Sequence, residues 1–513
     1  MFVDNSIYLG LSEDGRVTMP LRMANRHGLI AGASGTGKTV TMKCLAESFS
    51  DAGVPVFLCD IKGDVSGLCE PGEASESMEK RIEQFGIRDV FQYKSYPVTF
   101  WDVYQEGGHP VRATVSDMGP ELLSRILELT AAQQGILNIV FRIADDTGLL
   151  LTDLKDLHAM LDYVRDHRAE LTTTYGNITT QSLGGILRAL LPLENQGGEL
   201  FFGEPDLDIS DLMRTDSSGR GMINLLDCVK LAQNPTLYAT FLLWLMSELF
   251  ERLPEAGDPD RPKLVFFFDE AHMLFSDAPK ALAEKIAQVV RLIRSKGVGI
   301  WFVTQSPSDI PDSVLSQLSG RIQHALRAYT PAEQKAVRAA ASSLRANPAF
   351  KTEEVLMELG VGGALVSVLD ENGVPGVVQR TAIICPQSRM APCGENTRRA
   401  CLAADGMGKY DAAVDNDSAY EVLERQRAED ERQAQLDAER EAFEKEKAAF
   451  EAQKRKEEEA AEKKRLRELE KKQAAYEKSV ERRRAQIERQ VINTGAQVLK
   501  RGLMNTLFGG KKR

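Results

Sequence analysis

Short apolar runs alternate along most of the chain with longer segments whose apolar residues recur at helical spacing. The clearest runs are residues 27–31, 54–59, 221–226, 264–268 and 298–303. Runs that are apolar at consecutive positions are typical of parallel strands covered by helices on both faces. The alternation therefore predicts an α/β fold with a mostly parallel sheet.

Shorter patterns add strands at both ends of this region. The further predicted strands are a small β element within residues 1–22 and the runs 90–101, 111–115, 321–328, 363–369 and 377–385. Between residues 117 and 216 the pattern changes to helices, at 121–144, 151–168 and 181–193. We interpret this region as a helical insertion into the sheet domain.

The C-terminal part has a different composition. Residues 386–419 contain several Gly and Pro residues and predict a linker, with the sheet domain spanning residues 1–400 and residues 401–419 joining it to the C-terminal segment. Residues 420–490 are rich in Glu, Lys, Arg, Gln and Ala and contain neither Gly nor Pro, which predicts one long charged helix. Leu436, Phe443 and Phe450 are seven residues apart, so both a short self-associating coiled coil and a solvated helix remain open.

Residues 491–513 combine apolar side chains with five basic and no acidic residues. This basic amphipathic tail could lie on an anionic membrane, dock on a partner or on the sheet domain, or simply form the end of the long helix. Residues 1–420 carry a formal charge of about −16, because the whole chain has a charge of −11, residues 421–490 balance 20 basic against 20 acidic side chains, and residues 491–513 add +5. Binding of DNA by this part of the chain would therefore require a local basic surface.

The cysteines and the N-terminal residues indicate the cellular compartment. The seven cysteines show no CxxC pair and no metal-ligand spacing, which suits a reducing environment. The first residues lack the pattern of a signal peptide, and the longest apolar run, 237–250, is too short to cross a bilayer. We expect a soluble cytoplasmic protein.

The most specific motif lies between a predicted strand and a predicted helix. It consists of Gly32, Ala33, Ser34, Gly35, Thr36, Gly37, Lys38 and Thr39, and it matches the phosphate-binding P-loop pattern at every fixed position. Glycines let the backbone N–H groups surround one anion at the positive end of a helix dipole. Lys38 can reach the β- and γ-phosphates of a nucleoside triphosphate, and the Thr39 hydroxyl can bind Mg²⁺.

A second signal is the strand 264–268, which ends in Asp269 and Glu270. Asp269 stands where a Mg²⁺-associated carboxylate is expected, and Glu270 where P-loop ATPases carry the group that polarises the attacking water. The expected cofactors are therefore ATP and Mg²⁺. We expect residues 32–39 to face this acid pair across adjoining strand tips.

Further candidates surround these two motifs. Gln305 ends the next strand and could contact the γ-phosphate or the water. A neighbouring subunit often supplies an arginine to the transition state, and our first candidate is Arg321, followed by Arg291 and Arg294. His272 and Asp60 lie near the same crevice, the first more readily explained as a structural histidine and the second without an assigned role.

With these residues in place, the sequence resembles the HerA/FtsK-type P-loop ATPases, and especially the bacterial HerA-like (YjgR-like) family. The stretches that carry the resemblance are 27–39, Asp-Ile-Lys-Gly-Asp at 60–64, Phe-Asp-Glu-Ala-His at 268–272, Val-Thr-Gln-Ser-Pro at 303–307 and Gly-Met-Gly-Lys-Tyr-Asp at 406–411. The resemblance implies a RecA-like core, a ring (commonly a hexamer) with ATP between subunits, and translocation on double-stranded DNA. The Asp-Glu-Ala-His box is also similar to superfamily-two helicases, but its distance from Lys38 is much longer than in that family.

These observations support two functions. The first is a ring-forming ATP-driven motor, a homo-oligomer acting on DNA as a translocase or helicase. The alternative is a nucleotide-switched scaffold that recruits protein partners or membrane through its C-terminal helix and tail.

Overall fold

The computed structural model describes residues 1–257, 259–275 and 280–507, with side chains up to residue 497 except those of residues 280–282. The chain divides into two compact units, Met1–Glu424 and Arg425–Arg513. The described residues of the second unit belong to a single helix, Ala419–Leu507.

The strands all belong to one sheet of the first unit. In chain order they are β1 (Phe2–Val3), β2 (Ser6–Ser12), β3 (Gly15–Pro20), β4 (Gly28–Ala31), β5 (Val56–Asp60), β6 (Val98–Asp102), β7 (His109–Pro110), β8 (Ile223–Asp227), β9 (Leu264–Phe268), β10 (Val298–Thr304), β11 (Gly320–His324), β12 (Gly363–Ser367) and β13 (Gln379–Ile383).

The helices connect and cover these strands. They are α1 (Lys38–Asp51), α2 (Glu76–Gln84), α3 (Val115–Ile126), α4 (Ala131–Thr147), α5 (Leu154–Asp166), α6 (Arg168–Tyr175), α7 (Thr180–Asn195), α8 (Gly198–Phe201), α9 (Pro235–Arg252), α10 (Lys280–Ile293), α11 (Asp312–Leu315), α12 (Pro331–Ser342), α13 (Thr352–Glu358), α14 (Glu395–Ala404) and α15 (Ala419–Leu507). Short 3-10 helices span Leu21–Arg26, Ser66–Cys69, Ile209–Met213, Leu231–Gln233, Ala271–Leu274, Arg294–Lys296, Pro307–Asp309 and Gly408–Tyr410.

The sheet has a parallel part and an antiparallel end. The strand order is β1-β2-β13-β12-β11-β4-β10-β9-β5-β8-β6-β7, with β3 paired to β2. All pairs from β11 to β7 in this order are parallel, whereas β1, β2, β3, β12 and β13 pair antiparallel. The predicted α/β fold with a mostly parallel sheet is confirmed.

Alternate residues of the central strands enter two separate hydrophobic cores. Phe266 and Phe268 of β9 pack with the helices of the 115–213 region and with α9 and α10, whereas Val265 and Phe267 pack with α1 on the other face. Because side chains alternate along a strand, the run of five apolar residues in β9 is buried on both faces.

Two predicted strands differ clearly from the structure, and the run predicted at 321–328 forms a strand only over Gly320–His324. In the run 90–101 only Val98–Asp102 forms a strand, since Pro97 precedes it and has no N–H to donate to a ladder. In the run 111–115 the strand is His109–Pro110, and Thr114 instead caps α3 in a reciprocal pair with Asp117. The capping signal outweighs the apolar pattern there.

The region 115–213 consists mainly of helices, in agreement with its periodicity, but the single helix predicted at 121–144 is two helices, α3 and α4, because Thr130 caps α4 in a reciprocal pair with Gln133. Residues 386–419, predicted as a linker, lie within the first unit, which extends to Glu424, and they contain α14. Met407 and Tyr410 are buried, and the imidazole of His109 lies between the carboxylates of Asp405 and Asp411, at 3.0 and 2.6 Å. The Gly and Pro content of this segment predicts a linker and does not reveal these contacts, because each contact depends on one side chain and a distant partner.

Candidate functional site

The phosphate-binding loop joins β4 to α1. Gly35 and Gly37 have φ angles of 74° and 112°, a region that side chains with a Cβ rarely adopt. Lys38 is the first residue of α1, and its Nζ donates to the carbonyls of Gly32 and Ala33 at 2.7 and 3.2 Å. The ammonium therefore lies against the loop, where a helix N-terminus and its N–H groups favour an anion.

The loop is docked between two strand ends. The N–H of Gly32 donates to the carbonyl of Thr304 at the end of β10, and the N–H of Ala33 donates to the carbonyl of Ala325 just after β11. A Cβ on Gly32 would lie 2.5 Å from the Cβ of His324. The close approach explains why a glycine is needed at this position.

His324 holds the other side of the loop. Its Nδ1 donates to the carbonyl of Gly363 at 3.0 Å, so its Nε2, 2.9 Å from the Thr41 hydroxyl, accepts from that hydroxyl. Burial lowers the pKa of His324 to about 4, which keeps the ring neutral. His324, the last residue of β11, thus connects this strand to Thr41 of α1 through a hydrogen bond between uncharged groups.

The acid pair follows β9 directly. Asp269 and Glu270 are 3% and 8% exposed, and the N–H of Glu270 donates to Asp269 Oδ1 at 2.9 Å. Glu270 has a φ of 44°, which is uncommon for a residue other than glycine. Nδ1 of His272 lies 3.3 Å from Glu270 Oε2.

The expectation that the loop and the acid pair stand at adjoining strand tips needs a correction. β10 lies between β4 and β9, with Phe302 beside both Leu29 and Phe268. Parallel strands still bring all three tips to one edge of the sheet. Both carboxylates raise the pKa of Lys38, against a larger lowering by burial, so the lysine and the acid pair interact across β10.

Lys62 is a site residue that sequence reasoning missed. Its Nζ lies 2.6 Å from Glu270 Oε1 and 3.8 Å from Asp269 Oδ2. Burial raises the pKa of Glu270, but the hydrogen bond and charge of Lys62 outweigh burial and leave this pKa below its usual value. The pKa of Asp269 is raised, because burial outweighs the attraction of Lys62.

Asp60 shapes the turn that presents Lys62. Its two carboxylate oxygens accept from the N–H groups of Gly63 and Val65, at 2.8 and 3.1 Å. Burial raises the pKa of Asp60 to about 6 despite these bonds.

Gln305 is exposed and comes one residue after β10, next to the loop. The turn that carries it is fixed by Asp309, whose Oδ2 accepts from the Thr304 hydroxyl at 2.6 Å and from the N–H of Ser306 at 2.9 Å. The side chain of Gln305 is therefore presented at the same sheet edge as the acid pair. Its role stays a prediction.

The arginine candidates lie away from this edge within their own chain. Arg321 is beside Leu29 near the start of β11, and its guanidinium donates to the carbonyl of Leu315 at 3.1 Å. Arg291 lies in the last turn of α10, and Arg294 begins the turn that precedes β10. The structure does not bring any of them together with Lys38 and Glu270, and their role also stays a prediction.

The donor set fits Mg²⁺. The Thr39 hydroxyl is in the first turn of α1, and Oδ2 of Asp269 is beyond hydrogen-bond distance of Lys62, so it is available as a ligand. A hydroxyl and a carboxylate are the hard oxygen ligands that Mg²⁺ takes alongside water and phosphate oxygens.

The predicted C-terminal tail is described only in part. Side chains from residue 498 onward, and all of residues 508–513, lie outside the described residues, so its amphipathic character stays a prediction. Among the helices that the structure describes, none is both long and apolar enough to cross a bilayer.

Comparison with known proteins extends this picture. The family model for the helicase HerA-like C-terminal region matches residues 8–513. No curated protein matches the sequence.

Two solved structures of a coupling protein share the fold, and a third solved structure has a lower similarity. The bacterial conjugative coupling protein TrwBΔN70, in an unbound monoclinic form, has a TM-score of 0.50 at 15% identity over 77% of this chain and 93% of that chain. The plasmid coupling protein TrwB with the non-hydrolysable GTP analogue GDPNP has a TM-score of 0.51 at 14% identity over 76% and 93%. VirB4 of Thermoanaerobacter pseudethanolicus scores 0.48 at 15% identity over 75% and 97%. The predicted RecA-like P-loop core is confirmed.

Proposed function

The chain belongs to the helicase HerA-like C-terminal family, and we propose that it is a ring-forming ATPase motor that acts on double-stranded DNA. The resemblance inferred from the motifs is thereby confirmed. Membership of this family makes the chain a P-loop ATPase of the motor type. The DNA substrate, the ring of copies and a cytoplasmic location are the parts we propose.

The observation that carries the proposal is the placement of Lys38, Asp269 and Glu270 at one edge of a parallel sheet, on either side of β10. A cation beside the phosphate cradle and a carboxylate pair beyond the next strand are what phosphoryl transfer to water needs. The transition state is loose, so positioning and electrostatics supply most of the rate enhancement.

In this mechanism Lys38 leaves the carbonyls of Gly32 and Ala33 and binds the β- and γ-phosphates. Glu270 orients a water molecule in line with the γ-phosphate and accepts its proton. Gln305, presented by the Asp309 turn, hydrogen-bonds the same water or the γ-phosphate. Mg²⁺, held by Thr39 and Asp269, would neutralise charge on the phosphate oxygens when bound.

The ring proposal includes an arginine supplied by a neighbouring copy. Arg321, Arg291 and Arg294 lie away from the phosphate edge of their own subunit. An arginine supplied in trans needs to lie on a surface that meets the neighbour's site. We propose that Arg321 acts on the nucleotide of an adjacent copy, in a closed ring such as a hexamer.

The test measures ATP turnover by the full chain with and without duplex DNA, together with the mass of the assembly in solution. We expect duplex DNA to raise turnover, and the Glu270→Gln variant to lack turnover in both conditions. An ATP turnover rate that is the same with duplex DNA, single-stranded DNA, RNA and no nucleic acid would contradict the proposal that the motor acts on DNA. A monomer under turnover conditions would remove the ring.

A second function is favoured by the surface of α15. Phe443 and Phe450 are 67% and 69% exposed, seven residues apart, with Leu436 one heptad before them. Such a stripe suits a helical partner, including a second copy of this helix. A nucleotide-switched scaffold would use this stripe and the basic tail for protein or membrane contacts.

The double variant Phe443→Glu and Phe450→Glu separates the two functions, because these side chains are exposed and lie outside the ATPase unit. The scaffold proposal expects loss of self-association or partner binding with turnover intact. Unchanged assembly and unchanged partner binding would rule it out.

A further inference from the structure

Lys62 is the cation that pairs with both acidic side chains after β9. Its ammonium lies 2.6 Å from Glu270 Oε1 and 3.8 Å from Asp269 Oδ2, while the lysine side chain itself remains 44% exposed. The two carboxylates are nearly buried, so their mutual repulsion is screened weakly by water. A positive charge at this point offsets that repulsion.

The position of Lys62 is set by the fold. β5 runs parallel to β9 with Cys59 beside Phe268, so the residues that follow the two strands lie side by side. Asp60 then closes the turn by accepting from Gly63 and Val65, and Gly63 has a φ of 73°. The turn thus brings the Lys62 side chain to Glu270.

Glu270 needs such a contact. Its φ of 44° is unfavourable for a residue with a side chain, so its conformation must be held by its surroundings. The direct hydrogen bond from Lys62 is the shortest of its contacts, ahead of His272 at 3.3 Å. Without it the carboxylate would be free to turn away from the position where it meets water.

We propose that Lys62 is a positioning residue for ATP hydrolysis, which holds Glu270 in place for the attacking water without binding the nucleotide itself. This inference rests on the ATPase activity proposed above. Under this proposal ATP binding depends on the phosphate-binding loop, whereas the rate of hydrolysis depends on the geometry of Glu270, so loss of Lys62 should affect the second and not the first.

The experiment compares Lys62→Met, which keeps the length of the stem and removes the charge, with Lys62→Arg, which keeps the charge. For Lys62→Met we expect kcat to fall about 10- to 100-fold while the Kd for ATP changes less than about 3-fold, because misplacing one group lowers the rate without weakening binding. Lys62→Arg is expected to recover most of kcat. Lys94→Met is the matched control, since Lys94 also pairs at 2.6 Å with a carboxylate, that of Asp51 at the far end of α1.

A kcat for Lys62→Met equal to or above that of the unchanged protein would overturn the proposal, as would equal losses of kcat and ATP affinity. If the unchanged protein itself lacks turnover under all conditions, the ATPase function fails instead. In that event a double-mutant cycle of the thermal midpoint, with Lys62→Met and Glu270→Gln singly and together, still tests the pair. Additive shifts would refute the contact on which the inference depends.

Discussion

The backbone N–H of Gly32 donates to the carbonyl of Thr304 across 3.3 Å, which joins the first residue of the phosphate-binding loop to the last residue of β10. This bond attaches the loop to β10, the strand that lies between the loop and the acid pair. Any displacement of β10 would be passed directly to the loop. The relationship explains how motifs far apart in sequence act on one ligand.

Replacing Lys38 with Ala should abolish tight ATP binding. The variant loses a charge-assisted contact to the phosphates, and we expect the Kd to rise about 10- to 100-fold or more. Isothermal titration with ATP measures the effect. Lys80→Ala is the control, because Lys80 forms an exposed pair with Glu76 on α2; an unchanged Kd for Lys38→Ala would contradict the placement of the cradle.

Glu270→Gln should bind ATP and scarcely hydrolyse it. Removing a general base costs typically 10²- to 10⁴-fold in rate, so we expect kcat to fall by about that factor. Single-turnover measurements with radiolabelled ATP give the rate, and equilibrium binding gives the affinity. Glu106→Gln, in an exposed pair with Lys230, should leave both unchanged. Turnover within a few-fold of the unchanged protein would assign the base to another residue.

Gly28→Ala should destabilise the first unit. A Cβ at Gly28 would lie 2.4 Å from the ring of Trp301, a contact that real structures do not show, and overpacking of this kind costs about 1–3 kcal/mol. Chemical denaturation measures the loss. Adding Trp301→Phe, which shortens the ring, should relieve part of the clash.

The control for that experiment is Gly135→Ala. Gly135 lies inside α4 with open space around it, so alanine should stabilise by up to about 1 kcal/mol. Equal effects of the two substitutions would show that the clash at Trp301 is absorbed without cost.

The contact of His109 with Asp405 and Asp411 should make stability depend on pH. Burial lowers the pKa of His109, but the hydrogen bonds and charges of the two carboxylates outweigh burial and raise this pKa above its usual value of about 6.5. The stabilisation is therefore complete below the ordinary pKa and is lost as pH rises through the raised one. Neighbouring charges are Arg112, whose guanidinium donates to the Tyr410 carbonyl, and Arg214, which donates to the Asp405 carbonyl.

Thermal midpoints of the unchanged protein and of His109→Gln, recorded from about pH 5.5 to 9, test this linkage. The difference between the two should shrink with rising pH. His167→Gln, whose ring stacks on Tyr163 at the end of α5, is the control. A difference that is constant across the range would contradict a raised pKa of His109 in the folded protein.

Several site residues could be predicted because their signals are local. Gly32 to Thr39 form one continuous motif with a strand before and a helix after it, and Asp269 and Glu270 directly follow a run of apolar residues. Local hydrogen bonding and backbone conformation decide such features, so a short stretch of sequence contains the information. The capping pair of Thr114 and Asp117 is equally local, yet the apolar run of 111–115 masks it.

Lys62 and His324 could not be found in this way. Their partners, Glu270 and Thr41, are far away in the chain, and which strands become neighbours depends on packing across the whole sheet. The same holds for His109, whose carboxylate partners lie in a segment that composition alone assigned to a linker.

The sequence by itself determined the central parallel strands, the phosphate-binding loop, the acid pair and the long charged helix, because each depends on the periodicity or chemistry of neighbouring residues. Only the tertiary structure decided that β10 separates β4 from β9, that Lys62 pairs with Glu270, and that His324 supports the loop. Strand order and side-chain pairing depend on packing and electrostatic contacts between segments that are distant in the chain. A local sequence pattern therefore does not predict them.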